Sequence, residues 1–212
     1  MDIDKLIKGN KKFQNVNFPK LESKFDDLIE NGQKPTILFV GCSDSRVVPD
    51  LIVDSKPGDM FILRNIGNFV PPYKSDNDFH GSTAAIEYAV SVLGVKDIIV
   101  CGHNHCGACA SLYEDLNGRD DLIHVKKWLE LGYKAKEYTM LAIEDKSNKE
   151  LILRTTEKIS IKHQLENLLT YPEIIKRVEN GTLDIHGWYY KLEDGTIEYY
   201  DGDSCGFKKL GD

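Results

Sequence analysis

Three short, unbroken apolar runs constrain this chain most: Ile37-Leu38-Phe39-Val40, Met60-Phe61-Ile62-Leu63 and Ile98-Ile99-Val100-Cys101. Each has the length of a strand, and none alternates polar with apolar residues. A strand that is apolar on both faces needs cover on both faces, which is the situation of a parallel sheet flanked by helices. Turn residues bound the runs: Pro35-Thr36 opens the first, and Lys56-Pro57-Gly58-Asp59 precedes the second. Between the second and third runs, residues 82–93 place Ala85, Ile86, Ala89, Val90 and Leu93 on one helical face. Ser82 or Thr83 is the expected cap of that helix and Gly94 its stop. Strand, helix, strand with buried strands reads as an α/β fold with a parallel central sheet.

The flanks are different. Leu6, Ile7 and Phe13, then Leu21, Phe25, Leu28 and Ile29, recur at helical spacing on either side of Pro19. Neither stretch is apolar enough for a core helix, so residues 1–34 are expected to form a helical arm lying on the body or on a neighbouring chain. Residues 107–168 read mostly as helices with breaks near Gly118, Gly132 and Ser147. From Leu183 to Tyr200 polar and apolar residues alternate around Glu193-Asp194-Gly195-Thr196, a hairpin signal. No repeat or linker interrupts the 212 residues, so one domain spanning 1–212 is expected.

Charge narrows the partners. With 27 basic and 34 acidic side chains the net charge is −7, which argues against nucleic acid and anionic membrane. No apolar run reaches the roughly 18 residues of a membrane span. Met1 leads straight into Asp2-Ile3-Asp4-Lys5 with no signal segment, so a cytoplasmic chain is expected. The five cysteines, Cys42, Cys101, Cys106, Cys109 and Cys205, are odd in number and do not read as a disulfide framework. Three of them cluster with histidines between, which suggests metal or redox chemistry.

Two segments carry that chemistry: Gly41-Cys42-Ser43-Asp44-Ser45-Arg46 and Gly102-His103-Asn104-His105-Cys106-Gly107. Both directly follow predicted parallel strands, where loops converge into ligand sites. Two thiolates and an imidazole from Cys42, Cys106 and His103 suit Zn²⁺, and three protein ligands leave a fourth position open. Taken singly, a cysteine at a strand end is usually a small core residue and a loop histidine a hydrogen-bonding one. From the residues alone both readings stay open. Asp44 and Arg46 either pair beside a dication, with Arg46 holding Asp44 off the metal, or form a solvated loop ion pair. Cys106-Gly107-Ala108-Cys109 is also a C-x-x-C, the arrangement of a thiol–disulfide oxidoreductase, but that reading leaves Cys42, His103 and the Asp44–Arg46 pair unused.

These segments resemble the β-carbonic anhydrase family. The match rests on Cys42-Ser43-Asp44-Ser45-Arg46 and His103-x-x-Cys106. It extends through Arg64-Asn65-Ile66-Gly67-Asn68, Ala84-Ala85-Ile86-Glu87-Tyr88-Ala89, Ile98-Ile99-Val100-Cys101-Gly102-His103 and His186-Gly187-Trp188-Tyr189-Tyr190. Some members hold a regulatory bicarbonate with a Trp three residues before the first Cys; Phe39 stands there in this chain and argues against such a site, and Pro71-Pro72-Tyr73 looks more like the plant-type branch.

The resemblance implies a mostly parallel sheet with an antiparallel edge strand. It implies N-terminal helices swapped onto a partner in a homodimer or larger assembly, and one Zn²⁺ per chain on Cys42, His103 and Cys106. The implied reaction is the reversible hydration of CO₂ to bicarbonate and a proton by zinc-bound hydroxide. Asp44 and Arg46 are the implied catalytic pair, with Asp44 a fourth ligand only in a closed resting form. Gln33, Phe61, Tyr88 and the Gly107 N–H are the implied substrate-side groups, Phe61 and Tyr88 from this chain or its neighbour. His105 falls outside the implied metal shell. The same superfamily also implies an alternative, hydrolysis of CS₂ or COS.

Overall fold

The computed structural model describes residues 2–76 and 78–211. The three apolar runs become β1 (Ile37–Cys42), β2 (Met60–Asn65) and β3 (Asp97–His103), each extended beyond its run into the functional segments. The alternating C-terminal stretch supplies β4 (Asp184–Tyr190) and β5 (Ile197–Asp201), and β6 (Gly206–Lys209) follows. One sheet results, in the order β2-β1-β3-β4-β5-β6. The first four strands are parallel, and β5 and β6 add antiparallel at one edge. The expected α/β class holds, with two antiparallel strands where the resemblance implied one.

The chain runs from β1 to β2 on one side and then crosses to β3 on the other side of β1. The strand order reverses there, so the carboxyl ends of β1 and β3 diverge into separate loops and leave a crevice between them.

Helices cover the sheet. α1 (Ile3–Lys12) and α2 (Glu22–Asn31) form the N-terminal arm, α3 (Pro49–Val53) follows β1, and α4 (Gly81–Glu87) follows β2. α4 continues as a π-helical turn, Tyr88–Leu93, that stops at Gly94 with φ 68°. The expected Ser82 or Thr83 cap is not found. His80 occupies the cap position without a side-chain bond, because Ser82 Oγ is taken by Asn65 Nδ2 at 3.2 Å. α5 (Gly107–Ser111), α6 (Ile123–Leu129), α7 (Tyr133–Ala142), α8 (Lys149–Leu168) and α9 (Pro172–Glu179) complete the set. No described helix is long and apolar enough to cross a membrane.

The core lies on both sheet faces. Leu38, Val40, Ile98 and Val100 pack with Ile86, Val90, Leu165, Leu168 and Ile174. Phe39, Ile99 and Cys101 pack on the other face with Trp188 and Tyr190. α8 approaches closely because two glycines lie beneath Ile161. A Cβ on Gly102 would come 2.7 Å from Ile161 Cγ1, and one on Gly187 2.8 Å from its Cγ2. By contrast, no residue of α1 or α2 is buried, and Ile3, Leu6, Ile7, Val16 and Ile29 stand exposed.

Candidate metal centre

Cys42 ends β1 and His103 ends β3, so the two meet at the crevice where the strand order reverses. Cys106 arrives by a tight turn. His105 takes a left-handed φ of 54°, which folds the chain back and leaves Cys106 extended at the head of α5. The donor atoms of Cys42, His103 and Cys106 all lie within 4.8 Å of one another, and all three residues are buried.

The ring of His103 is oriented by its neighbour. Nδ1 lies 2.8 Å from the Asn104 carbonyl oxygen, and a carbonyl only accepts, so Nδ1 carries the proton. In the neutral imidazole Nε2 is then a lone pair, and it is buried without a hydrogen-bond partner. Burying such an acceptor unsatisfied costs free energy. Both thiols resist ionisation without a cation. The adjacent Cys106 and then burial push Cys42 up to about 12, and Cys109 together with burial raises Cys106. An orphaned nitrogen lone pair facing two buried thiols fits a borderline-soft dication that takes N and S ligands and displaces the thiol protons.

Asp44 is outside that trio. Its Oδ1 accepts from Arg46 N (3.0 Å) and Nε (2.9 Å), and its Oδ2 accepts from Nη2 (2.7 Å). The fork holds the Asp44 carboxyl well below the usual carboxylate range. Arg46 Nη2 also donates to the His105 carbonyl at 3.0 Å, which ties the two loops together. Arg64, on β2, anchors the first loop alone, Nε to the Cys42 carbonyl at 3.0 Å and Nη2 to the Asp44 carbonyl at 2.8 Å.

The β4–β5 hairpin braces the second loop from outside. Glu193 accepts from Asn104 Nδ2 and pairs with His105 Nε2 at 2.8 Å, and Asn104 Oδ1 accepts from the Leu192 N–H at 2.9 Å. Asn104 and then His105 hold the Glu193 carboxyl down at about 2.

Of the other residues singled out, Gly107 opens α5 directly after Cys106 and is exposed, with its N–H among the amides a helix start leaves free. Phe61 and Tyr88 stack with ring centroids 5.8 Å apart. That pair lies toward the opposite end of the strands. Phe61 is in register with Leu38, four residues before the Asn65–Cys42 pair, or about 13 Å along the sheet. Gln33 is exposed and precedes β1 by four residues, so it sits at the amino end of the sheet while Cys42 sits at the carboxyl end. Neither Gln33 nor the Phe61–Tyr88 pair joins its own chain's donor trio.

Residue patterning gave no role to Arg64, which braces the first loop, or to Asn104, Glu193 and Glu157, which brace the second. The only sequence sign was for Arg64, a cation directly after an apolar strand. Cys109 is buried beside Cys106, and all five cysteines are free. A second donor trio, Asp76, Asp78 and His80, is exposed, and His80 Nε2 is already paired with Asp76 Oδ1 at 2.6 Å.

Comparison with known proteins agrees with this geometry. The carbonic anhydrase family profile matches residues 37–197. A carbonic anhydrase of Synechocystis sp. is 41% identical over 203 residues, which cover 94% of this chain and 72% of that protein. The solved β-carbonic anhydrase CcaA superposes with a TM-score of 0.90 at 39% identity, covering 99% of this chain and 92% of that one. One of two tetrameric β-carbonic anhydrases from Sordaria macrospora superposes at 0.68 with 32% identity, covering 99% and 93%.

Proposed function

The chain belongs to the β-carbonic anhydrase family, and from that premise we propose that it hydrates CO₂ reversibly to bicarbonate and a proton at one Zn²⁺ held by Cys42, His103 and Cys106. The observation that carries the proposal is the buried, unpartnered Nε2 of His103 among two buried thiols. Zinc, when bound, is a Lewis acid that makes hydroxide available from water near neutral pH.

The chain's own residues supply orientation. Asp44, kept anionic by Arg46, accepts the hydrogen bond of the attacking oxygen and turns a lone pair toward the CO₂ carbon. The same fork keeps the Asp44 carboxylate out of the donor set, so Asp44 becomes a fourth ligand only in a resting form in which Arg46 lets go. The Gly107 N–H polarises a substrate oxygen. Gln33 and the Phe61–Tyr88 pair bind substrate at the site of a second copy, since each lies away from its own Cys42. A homodimer or larger homo-oligomer follows, supported by the exposed apolar arm and by the tetrameric Sordaria relatives. Stopped-flow CO₂ hydration with the zinc-loaded protein tests the proposal, and a rate no higher than buffer alone would end it.

The oxidoreductase alternative is not favoured: Cys106 shares its space with Cys42 and His103 as well as Cys109, and the relatives named above are carbonic anhydrases. No observation favours CS₂ or COS over CO₂.

A further inference from the structure

Glu157 is the only acidic side chain buried among the described residues, 2% exposed in the middle of α8. Removing a carboxylate from water costs several kcal/mol unless it is paired and fully hydrogen-bonded. Its partners are specific. Oε1 accepts the backbone N–H of Cys106 at 3.1 Å and lies 3.0 Å from Arg154 Nη2, while Oε2 accepts the Tyr189 hydroxyl at 2.8 Å. Three donors converge on the two oxygens and fix the carboxyl in one orientation. Tyr189, on β4, is itself buried, and Arg154 Nε and Nη1 are buried with no partner of their own. Arg154 thus gives up water on two of its nitrogens to reach Glu157. A core built for packing alone would fill this space with apolar side chains. Here one helix, through Glu157 and Arg154, and one strand, through Tyr189, converge behind one amide, that of a residue in the donor trio.

We propose that Glu157 is a positioning residue for the metal centre. It clamps the Cys106 backbone from behind so that Cys106 Sγ stays within reach of Cys42 and His103, and Tyr189 and Arg154 hold Glu157 in place. The inference rests on the metal reading above and assigns a residue outside the Cys-Ser-Asp-Ser-Arg and His-x-x-Cys segments. Outer partners of this kind typically change metal affinity by about 10- to 100-fold.

The test follows metal release from the loaded full-length protein into excess chelator, and the absorption spectrum after Co²⁺ replaces Zn²⁺. Glu157→Gln keeps the shape but replaces one acceptor oxygen by an amide donor that cannot accept, and Tyr189→Phe removes one hydroxyl donor. Asp201→Asn, at an ion pair on the remote β5–β6 edge, serves as a control for lost stability alone. Release is expected to quicken about tenfold in Glu157→Gln and Tyr189→Phe, with shifted Co²⁺ bands in Glu157→Gln. Asp201→Asn should release at the wild-type rate. Folded Glu157→Gln and Tyr189→Phe that release metal at the wild-type rate with unchanged bands would overturn the inference. If Glu157→Gln does not fold, the Tyr189→Phe rate decides alone. Failure of the wild-type protein to take up either metal would be a different result, since it removes the metal reading and this inference with it.

Discussion

At the scale of single residues, the reading proposed above gives metal holding and catalysis to different side chains in one short loop. Cys42 belongs to the donor trio, while Asp44, two residues on, is claimed by Arg46. The two should separate by mutation. Cys42→Ser replaces a soft sulfur by a hydroxyl that binds zinc poorly, so zinc per chain should fall well below one by elemental analysis. Asp44→Asn keeps the trio and should keep stoichiometric zinc, but its neutral amide is a weaker acceptor and loses the two-oxygen fork to Arg46 that orients it, so CO₂ hydration should fall about 100-fold. Loss of zinc from Asp44→Asn to the same degree as from Cys42→Ser would mean that the carboxylate holds metal rather than orienting the nucleophile. The trio was readable because each member follows an apolar run or stands at His-x-x-Cys spacing. Glu157 was not, because it is one acid among several on a long polar-looking helix and its burial exists only once α8 packs on the sheet. The left-handed backbone of His105 was equally silent, since nothing in Asn104-His105-Cys106 marks a positive φ.

At the scale of elements, the parallel strands and the helix after β2 were legible, since continuous apolar runs and a helical apolar stripe have few other uses. β6 was not. It spans four residues, carries Lys208 and Lys209, and lies at the sheet edge, where lysines discourage further pairing and alternation is not needed. The close seating of α8 was hidden too, because Gly102 and Gly187 are far apart in sequence and meet only beneath Ile161. Gly102→Ala should therefore cost roughly 1–3 kcal/mol through overpacking. Shortening Ile161 in the same molecule should recover part of that loss, so a double-mutant cycle in urea should give Gly102→Ala plus Ile161→Val a smaller total than the sum of the singles. Strict additivity would mean that the contact does not limit the packing.

The β5–β6 edge makes a pH-dependent prediction. Lys208 and then Ser204 hold the Asp201 carboxyl down at about 2. A carboxyl whose folded value lies below the unfolded value of about 3.9 favours the folded state at higher pH. The contribution is complete above that unfolded value and drains away as pH falls toward the folded one. The difference in urea midpoint between wild type and Asp201→Asn should accordingly be largest at pH 6 and smaller at pH 3. A difference that stays constant across that range would show that the ion pair contributes nothing to stability.

At the scale of the whole molecule, the geometry of one chain poses a problem that a second copy would solve. β1 is about 17 Å long, with Gln33 before its first residue and Cys42 at its last. A glutamine that serves the metal site must therefore serve another chain's. α2 leans on its own chain through Leu28 over Gly58 and Lys24 beside Asp59, whereas α1 buries no residue there, which suits an arm that reaches a neighbour. The sequence showed the amphipathic arm but not its direction, because a period of apolar residues fixes which face is buried and not against what. Subunit mixing tests the arrangement. Homodimers of Gln33→Ala lack the glutamine at both sites, and homodimers of Cys42→Ser lack a metal ligand at both. In a mixed dimer, the chain with intact Cys42 receives Gln33 from its Cys42→Ser partner, so one of the two sites is complete. Unfolding and refolding the variants together in equal amounts should return activity to about a quarter of the wild-type rate if pairing is random, since half the dimers are mixed and each carries one working site. If Gln33 served its own chain, every site in the mixture would lack either the glutamine or the ligand, and mixing would raise nothing above the average of the separate variants.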